Sequence, residues 1–314
     1  MFKNNLFRFF CTVFVILATL QQSIAQGITL PPNGANQKAS VTQYMGLVKV
    51  QIDYHSPDVT SPQGEDRRGK IWGQLVPYGM NNLGFGTAKE SPWRAGANQN
   101  TSISFSHAVE VEGKKIAAGT YGLHFIVEKN QWTAIFSKNS TAWGSYFYEP
   151  KEDALRVNVT PQASEHAEWL TYEFTDRQLA STTVLLKWEG LKVPIKISVP
   201  NINEFYITKI KQELQSSAGF SGQNWSAAAN FCLQNRTHLE QGLIWAEGAI
   251  SNPFVGQKTF TNLQTKASIL TALKRDKEAE VVMKDALSIA GAADIFAIHG
   301  YGRSLITAGK VDKA

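Results

Sequence analysis

The chain reads as two folds in series: an all-β sandwich or open barrel, then an all-α array of tetratricopeptide-like helical repeats. Three observations predict this. Between Val48 and Val199 apolar residues recur with period two in many short runs, separated by turn residues and without helical spacing. At Pro200 the spacing changes, and Phe205, Tyr206, Ile210 and Leu214 fall on one face of a helix. From Asn224 onward, small and large apolar residues recur at a spacing close to that of helix-pair repeats. A length of 314 residues suits two domains. The boundaries read are 26–200 for the β-domain, 201–223 for a helix and linker, and 224–314 for the repeats. The last of these is expected to be incomplete at its C-terminal end.

The first 25 residues carry the signs of an export signal. Lys3 and Arg8 precede an apolar run from Phe9 to Leu20, too short to cross a bilayer. Ser23-Ile24-Ala25 places small residues at the −3 and −1 positions, so cleavage is expected after Ala25. No cysteine follows, which excludes a lipoprotein signal, and no other stretch could span a membrane. The mature chain is expected to be exported, periplasmic or extracellular. Cleavage removes Cys11 and leaves Cys232, which cannot form an internal disulfide. Its apolar helical context predicts a buried, inert thiol. The formal charge of +5 falls once Lys3 and Arg8 are gone. No clustered basic face remains, so no nucleic-acid partner is expected.

Thr29 to Gln37 is rich in Pro, Asn and Gly and reads as an extended lead-in. Val48 to Tyr54 alternates strictly, with Val48, Val50, Ile52 and Tyr54 facing a core. Pro57 to Asn100 has almost no periodicity. Loops of this length inside a compact domain are uncommon and often functional. Its aromatics, Trp72, Tyr78, Phe85 and Trp93, predict a packed segment rather than a disordered one. A hairpin follows, turning at Glu112-Gly113, with a further turn at Ala118-Gly119-Thr120. Strands are then expected at Leu123–Glu128, Trp132–Ser137, Leu155–Val159, Trp169–Thr175, Thr182–Trp188 and Leu191–Val199. The last two are expected to join at Glu189-Gly190, and Pro194 marks the final one as an edge strand.

Gln215 to Gly222 reads as a linker, which predicts separable halves and protease cleavage near Ser216 to Gly222. Leu263, Ala267 and Leu270, then Ala279, Met283 and Ala286, supply the small-against-large packing of a helix pair. Gly242, Ala246 and Ala249 repeat the second-helix pattern, and Gly302 and Leu305 the first. Ile295 to Ala308 is therefore expected to open a third pair, with apolar side chains exposed on one side. The repeats are the expected site of a protein partner.

These residues carry a resemblance. Ile52-Asp53-Tyr54-His55-Ser56-Pro57, Arg68-Gly69-Lys70-Ile71-Trp72-Gly73, Leu75-Val76-Pro77-Tyr78-Gly79, Trp93-Arg94-Ala95-Gly96-Ala97-Asn98, Gly113-Lys114-Lys115 with Ala118-Gly119-Thr120-Tyr121, and Trp143-Gly144 occur in order between Leu30 and Val199. In this the chain resembles an exported bacterial family called domain of unknown function 2911. The resemblance implies an exported context and no established activity. Met80 to Pro92 stands as additional sequence relative to the family pattern.

The leading site candidates are Trp93, Arg94 and Asn98. An indole stacks on a sugar or aromatic ring, an arginine grips a carboxylate or phosphate, and an amide both donates and accepts. Gly96 would let a ligand approach the backbone. Against this stands a structural reading, in which Trp93 plugs the end of the sandwich and Arg94 and Asn98 satisfy loop carbonyls. Trp143 and Tyr146 form a second aromatic loop, open to the same two readings. His55 beside Asp53 is a candidate acid–base element or a merely hydrogen-bonded histidine.

No histidine pair has metal-ligand spacing, and no cofactor motif is present. Gly79 to Gly84 has phosphate-loop spacing but Phe85 where the lysine belongs. Gly219-Phe220-Ser221-Gly222-Gln223 lacks the last glycine of a serine-hydrolase elbow. Three functions remain: an envelope binding or scaffolding protein with a small-molecule or carbohydrate site, a periplasmic hydrolase using the same rim, or a purely structural envelope component.

Overall fold

The computed structural model describes residues 36–307 together with Gly309 and Val311. The expected signal peptide over 1–25, the lead-in up to Ala35, and the expected turn into a further helix after Ala308 lie outside the residues whose placement is described.

An antiparallel β-domain is followed by an all-α region. The strands are β1 (Gln37–Met45), β2 (Val48–Ser56), β3 (Thr101–Phe105), β4 (Val109–Val111), β5 (Lys114–Ile116), β6 (Gly119–Ile126), β7 (Trp132–Ser137), β8 (Asp153–Val159), β9 (Gln162–Thr175) and β10 (Ser181–Ser198). They form a six-stranded sheet in the order β1-β2-β3-β6-β7-β8 and a four-stranded sheet in the order β5-β4-β10-β9. The alternation in β2 does what period two demands: Val48, Val50, Ile52 and Tyr54 are buried, while Gln51, Asp53 and His55 face the other way. The two inner faces meet in one apolar core that includes Ile52, Phe125, Leu186 and Ile195. One side of the sandwich is stitched together: Ser56 Oγ donates to Leu170 O at 2.7 Å, and Leu170 N donates to Pro57 O at 2.8 Å.

The structure differs from the sequence reading at β1, at β10 and at β9, which begins at Gln162 and not at the expected Trp169. β1 was not foreseen, because only Ala39, Val41 and Met45 in it are apolar. It lies at the sheet edge, where half-burial suffices. The two expected final strands are one continuous β10, with register shifts around Glu189, which takes φ 54. β10 is also interior, between β4 and β9, not an edge. Pro194 is tolerated because pairing with β9 ends at Lys192 and pairing with β4 begins at Ile197.

The helices are α1 (Ile202–Leu214), α2 (Gly222–Gln234), α3 (Leu239–Ser251), α4 (Phe260–Ala272), α5 (Asp276–Ser288) and α6 (Ile295–Thr307). α2 packs on α3 and α4 on α5, with α3 against α4 between the pairs. The crossing of α2 and α3 is as close as small residues allow. A Cβ on Gly242 would lie 2.7 Å from the Cβ of Cys232. Cys232 is buried, and burial pushes its thiol up to about 11, so it is not a nucleophile at neutral pH. On α6 only Leu305 is buried, while Ile295, Phe296 and Ile306 are exposed.

α1 belongs to two cores. Ile202, Phe205 and Tyr206 pack on the sandwich, whereas Ile207, Ile210 and Leu214 pack with α2 and α3. The segment after it is not a bare tether. Ser217–Phe220 forms a short 3-10 turn, and Trp225 Nε1 donates to Gly219 O at 2.8 Å.

Candidate functional site

The irregular segment between β2 and β3 positions the site. It forms isolated bridges instead of strands: Trp93 exchanges two 2.8 Å backbone hydrogen bonds with Phe125 on β6, and Gly79 N donates to Val127 O. Its two tryptophans pack inward. Trp72, Trp93, Trp132 and Trp188 form a cluster with ring centroids 4.9 to 6.2 Å apart, Trp93 nearly parallel to Trp188. Trp93 is thus chiefly a packed core ring, as the plug reading expects. The Nε1 groups of Trp72 and Trp188 are buried without an acceptor among the described residues.

The block Ala95 to Asn98 is held in unusual backbone. Ala95 and Asn98 both take φ 57, in the left-handed region. The carbonyl of Ala95 accepts from Thr101 Oγ1 at 3.0 Å and from Tyr172 Oη at 2.8 Å, which anchors the turn to both sheets. Gly96 is needed for a different reason from the one expected. A Cβ there would lie 2.7 Å from Thr101 Oγ1 and 3.0 Å from His55 O, so the close approach is made by the chain's own strands.

Arg94 leaves this turn half-buried. Its Nη1 donates to Asn98 O at 2.7 Å, and its guanidinium lies 4.8 Å from the Tyr146 ring centre. Gly144 presses on the guanidinium so closely that a Cβ would fall 2.3 Å from Cζ. No carboxylate among the described residues pairs with it. The sequence candidates Arg94, Asn98 and Tyr146 therefore come together.

Beside them lies a cleft of about 350 Å³. Arg94, Trp93, Trp188 and Ser145 line it, with Pro57, Leu75 and Pro77 as apolar wall. The additional residues, Met80 to Pro92, build one side. Asn81 and Ser91 exchange backbone bonds at 3.0 and 2.8 Å, Ala88 N donates to Tyr146 O, and Phe85 packs edge-on to Tyr146. Sequence reasoning missed the cleft's second arginine, Arg67. It donates to Val59 O and Asp58 O, and Asp58 Oδ1 lies 3.7 Å away.

Trp143 and His55 lie elsewhere, in a separate groove on the outer face of β1–β3. His55 does not bond Asp53. Asp53 Oδ2 accepts from Gln51 Nε2 at 2.9 Å, and His55 Nδ1 is buried without a partner among the described residues. Burial, then the charge of Lys38, lowers the His55 pKa. The acid–base pairing, one of the two readings open for His55, is not formed.

A histidine that sequence reasoning passed over is better placed. His124 on β6 is covered on its outer side by the loop after β7, and its Nδ1 lies 2.9 Å from Ser145 Oγ. Burial, then the nearby Arg94 charge, pushes it down to about 3. Such a weak base is poorly matched to catalysis near neutrality. It is, however, a pH sensor for the fold. In the unfolded chain it takes a proton near its ordinary 6.5, but in the folded chain only near 3. Its contribution to stability is thus full above pH 6.5 and is lost as the pH falls towards 3. Acidification from pH 7 to 4.5 should cost about 2–3 kcal/mol through this group alone. Urea midpoints at the two pH values check this: the gap between wild type and His124→Asn should narrow at pH 4.5, and a constant gap counts against it.

A family model described as "Protein of unknown function (DUF2911)" matches residues 36–197, just over half of the chain. The match ends with the last strand and leaves the helices outside it. No curated protein and no solved structure matches the chain.

Proposed function

For a chain that belongs to the DUF2911 family of proteins of unknown function, we propose the role of an exported cell-envelope binding protein. Its β-domain takes a small anionic molecule with an apolar body into the cleft beside Arg94, and its helices engage a protein partner. The observation that carries this reading is Arg94 itself. It is a half-buried guanidinium, fixed by Asn98 O and Tyr146, at a cleft wall and without a carboxylate among the described residues to neutralise it. A preorganised arginine of this kind suits a carboxylate or phosphate. Trp188 packs against the cleft as part of its buried aromatic wall. Pro57, Leu75 and Pro77 suit the apolar body.

The hydrolase-type alternative has less support. His124 and Ser145 are hydrogen-bonded, but both are buried and the imidazole is a weak base. The helix pairs are read as tetratricopeptide-like repeats on the close α2–α3 crossing. Exposed Ile244 and Val281 line a groove in them that suits a protein partner.

Calorimetric titration with benzoate and with inorganic phosphate tests the anion site. Binding of at least one is expected, and Arg94→Ala should abolish it while lowering stability by no more than about 1 kcal/mol. Absence of binding by both probes, or a large stability loss in Arg94→Ala, would favour a purely structural rim.

A further inference from the structure

The groove on the outer face of β1–β3 is distinct from the Arg94 cleft and has different chemistry. It encloses about 280 Å³. Its base is the sheet: Lys38 on β1, Asp53 and His55 on β2, and Ser102 on β3, with Lys38 opposite His55 and Asp53 opposite Ser102 in the strand register. Its rim is the stretch Ser140 to Trp143 of the loop after β7.

Three observations make this more than a wet surface. The first is Trp143, which is 53% exposed and has no aromatic partner among the described residues. An exposed indole at the rim of a groove is free to stack on the ring of a ligand. The second is Asn100, only 8% exposed. Its Nδ2 donates to Asn139 O at 3.2 Å, which fixes the amide orientation, and its buried Oδ1 then has no donor among the described residues. The third is His55 Nδ1, buried and equally without a partner. Buried polar atoms are normally paired, and an unpaired one costs about 1–3 kcal/mol.

We propose that this groove is a binding site for one ring of a neutral carbohydrate, with Trp143 as stacking platform and Asn100, Asp53 and His55 as hydroxyl partners. The ligand class follows from what each wall accepts. Asn100 Oδ1 and the Asp53 carboxylate need donors, which disfavours an anion. Lys38 offsets Asp53, which disfavours a cation. An apolar ligand would leave all of them unpaired. A sugar ring has an apolar C–H face for the indole and an edge of hydroxyls that both donate and accept.

The test uses the mature full-length protein and the methyl glycosides of glucose, galactose, mannose and N-acetylglucosamine, followed by saturation-transfer NMR and calorimetry. At least one should bind with a millimolar Kd. Trp143→Ala and Asp53→Asn should each weaken it at least about tenfold. Trp169→Ala, which removes another exposed indole outside the groove, should leave it unchanged. No saturation by any of the four glycosides at tens of millimolar would overturn the proposal. So would binding that survives Trp143→Ala, with the fold of each variant verified by its circular dichroism.

Discussion

Trp132→Ala should lower the stability of the β-domain by about 3–5 kcal/mol, and the melting temperature by about 10 °C. Trp132 is 1% exposed and touches most of the aromatic core: its ring lies 4.9 Å from Trp72, 5.5 Å from Phe125 and 6.2 Å from Trp93. It opens β7, which lies between β6 and β8, and is paired with Val159 of β8, while Thr133 beside it is paired with β6, so the backbone cannot readily collapse into the void. Thermal unfolding followed by circular dichroism measures the effect. A shift of only about 2 °C would mean that the cluster relaxes freely, contrary to a close-packed interior. Trp143→Ala is the natural contrast, since it removes an exposed indole and should be almost silent in the same experiment.

The second large effect concerns where the β-domain ends. A fragment ending at Val199 should be less stable than one ending at Gln215 by about 3–5 kcal/mol, because it loses Ile202, Phe205 and Tyr206 from the sandwich core. Ile202 is 7% exposed, and Tyr206 Oη lies where a Cβ on Gly46 would be, so the first turn of α1 is tightly seated. Urea midpoints of the two fragments decide it. Equal midpoints would show that the strands are self-sufficient and that α1 is a passenger on them.

The β-domain was legible wherever one face of a strand is buried and the other is not. β2, β7 and the hairpin of β4 and β5 follow alternation and turn residues almost to the residue, and Glu112 and Gly113 both take the positive φ that a tight hairpin needs. β1 and the first half of β9 were illegible for a physical reason: they are polar and lie at sheet edges, so little burial is recorded in their sequence. The site was half legible. Arg94, Asn98 and Tyr146 were singled out as interaction-rich loop residues and do meet. That Trp93 turns inward, and that His55 and Trp143 belong to another depression, depended on contacts distant in sequence. Asn100 was missed because an asparagine beside a strand looks like any turn residue. Only its buried, half-satisfied amide sets it apart.

The loop after β7 borders both depressions. Ser145 lines the Arg94 cleft, Trp143 the groove, and Gly144 between them bears on the guanidinium. Two occupants would therefore share one wall. A ligand that shifts this loop from one side changes the wall met by a ligand on the other, so each would change the other's affinity. Thermodynamic reciprocity requires the two changes to be the same factor. With Gly144 between them, the protein would respond to the joint presence of an acid and a sugar differently from its response to either alone.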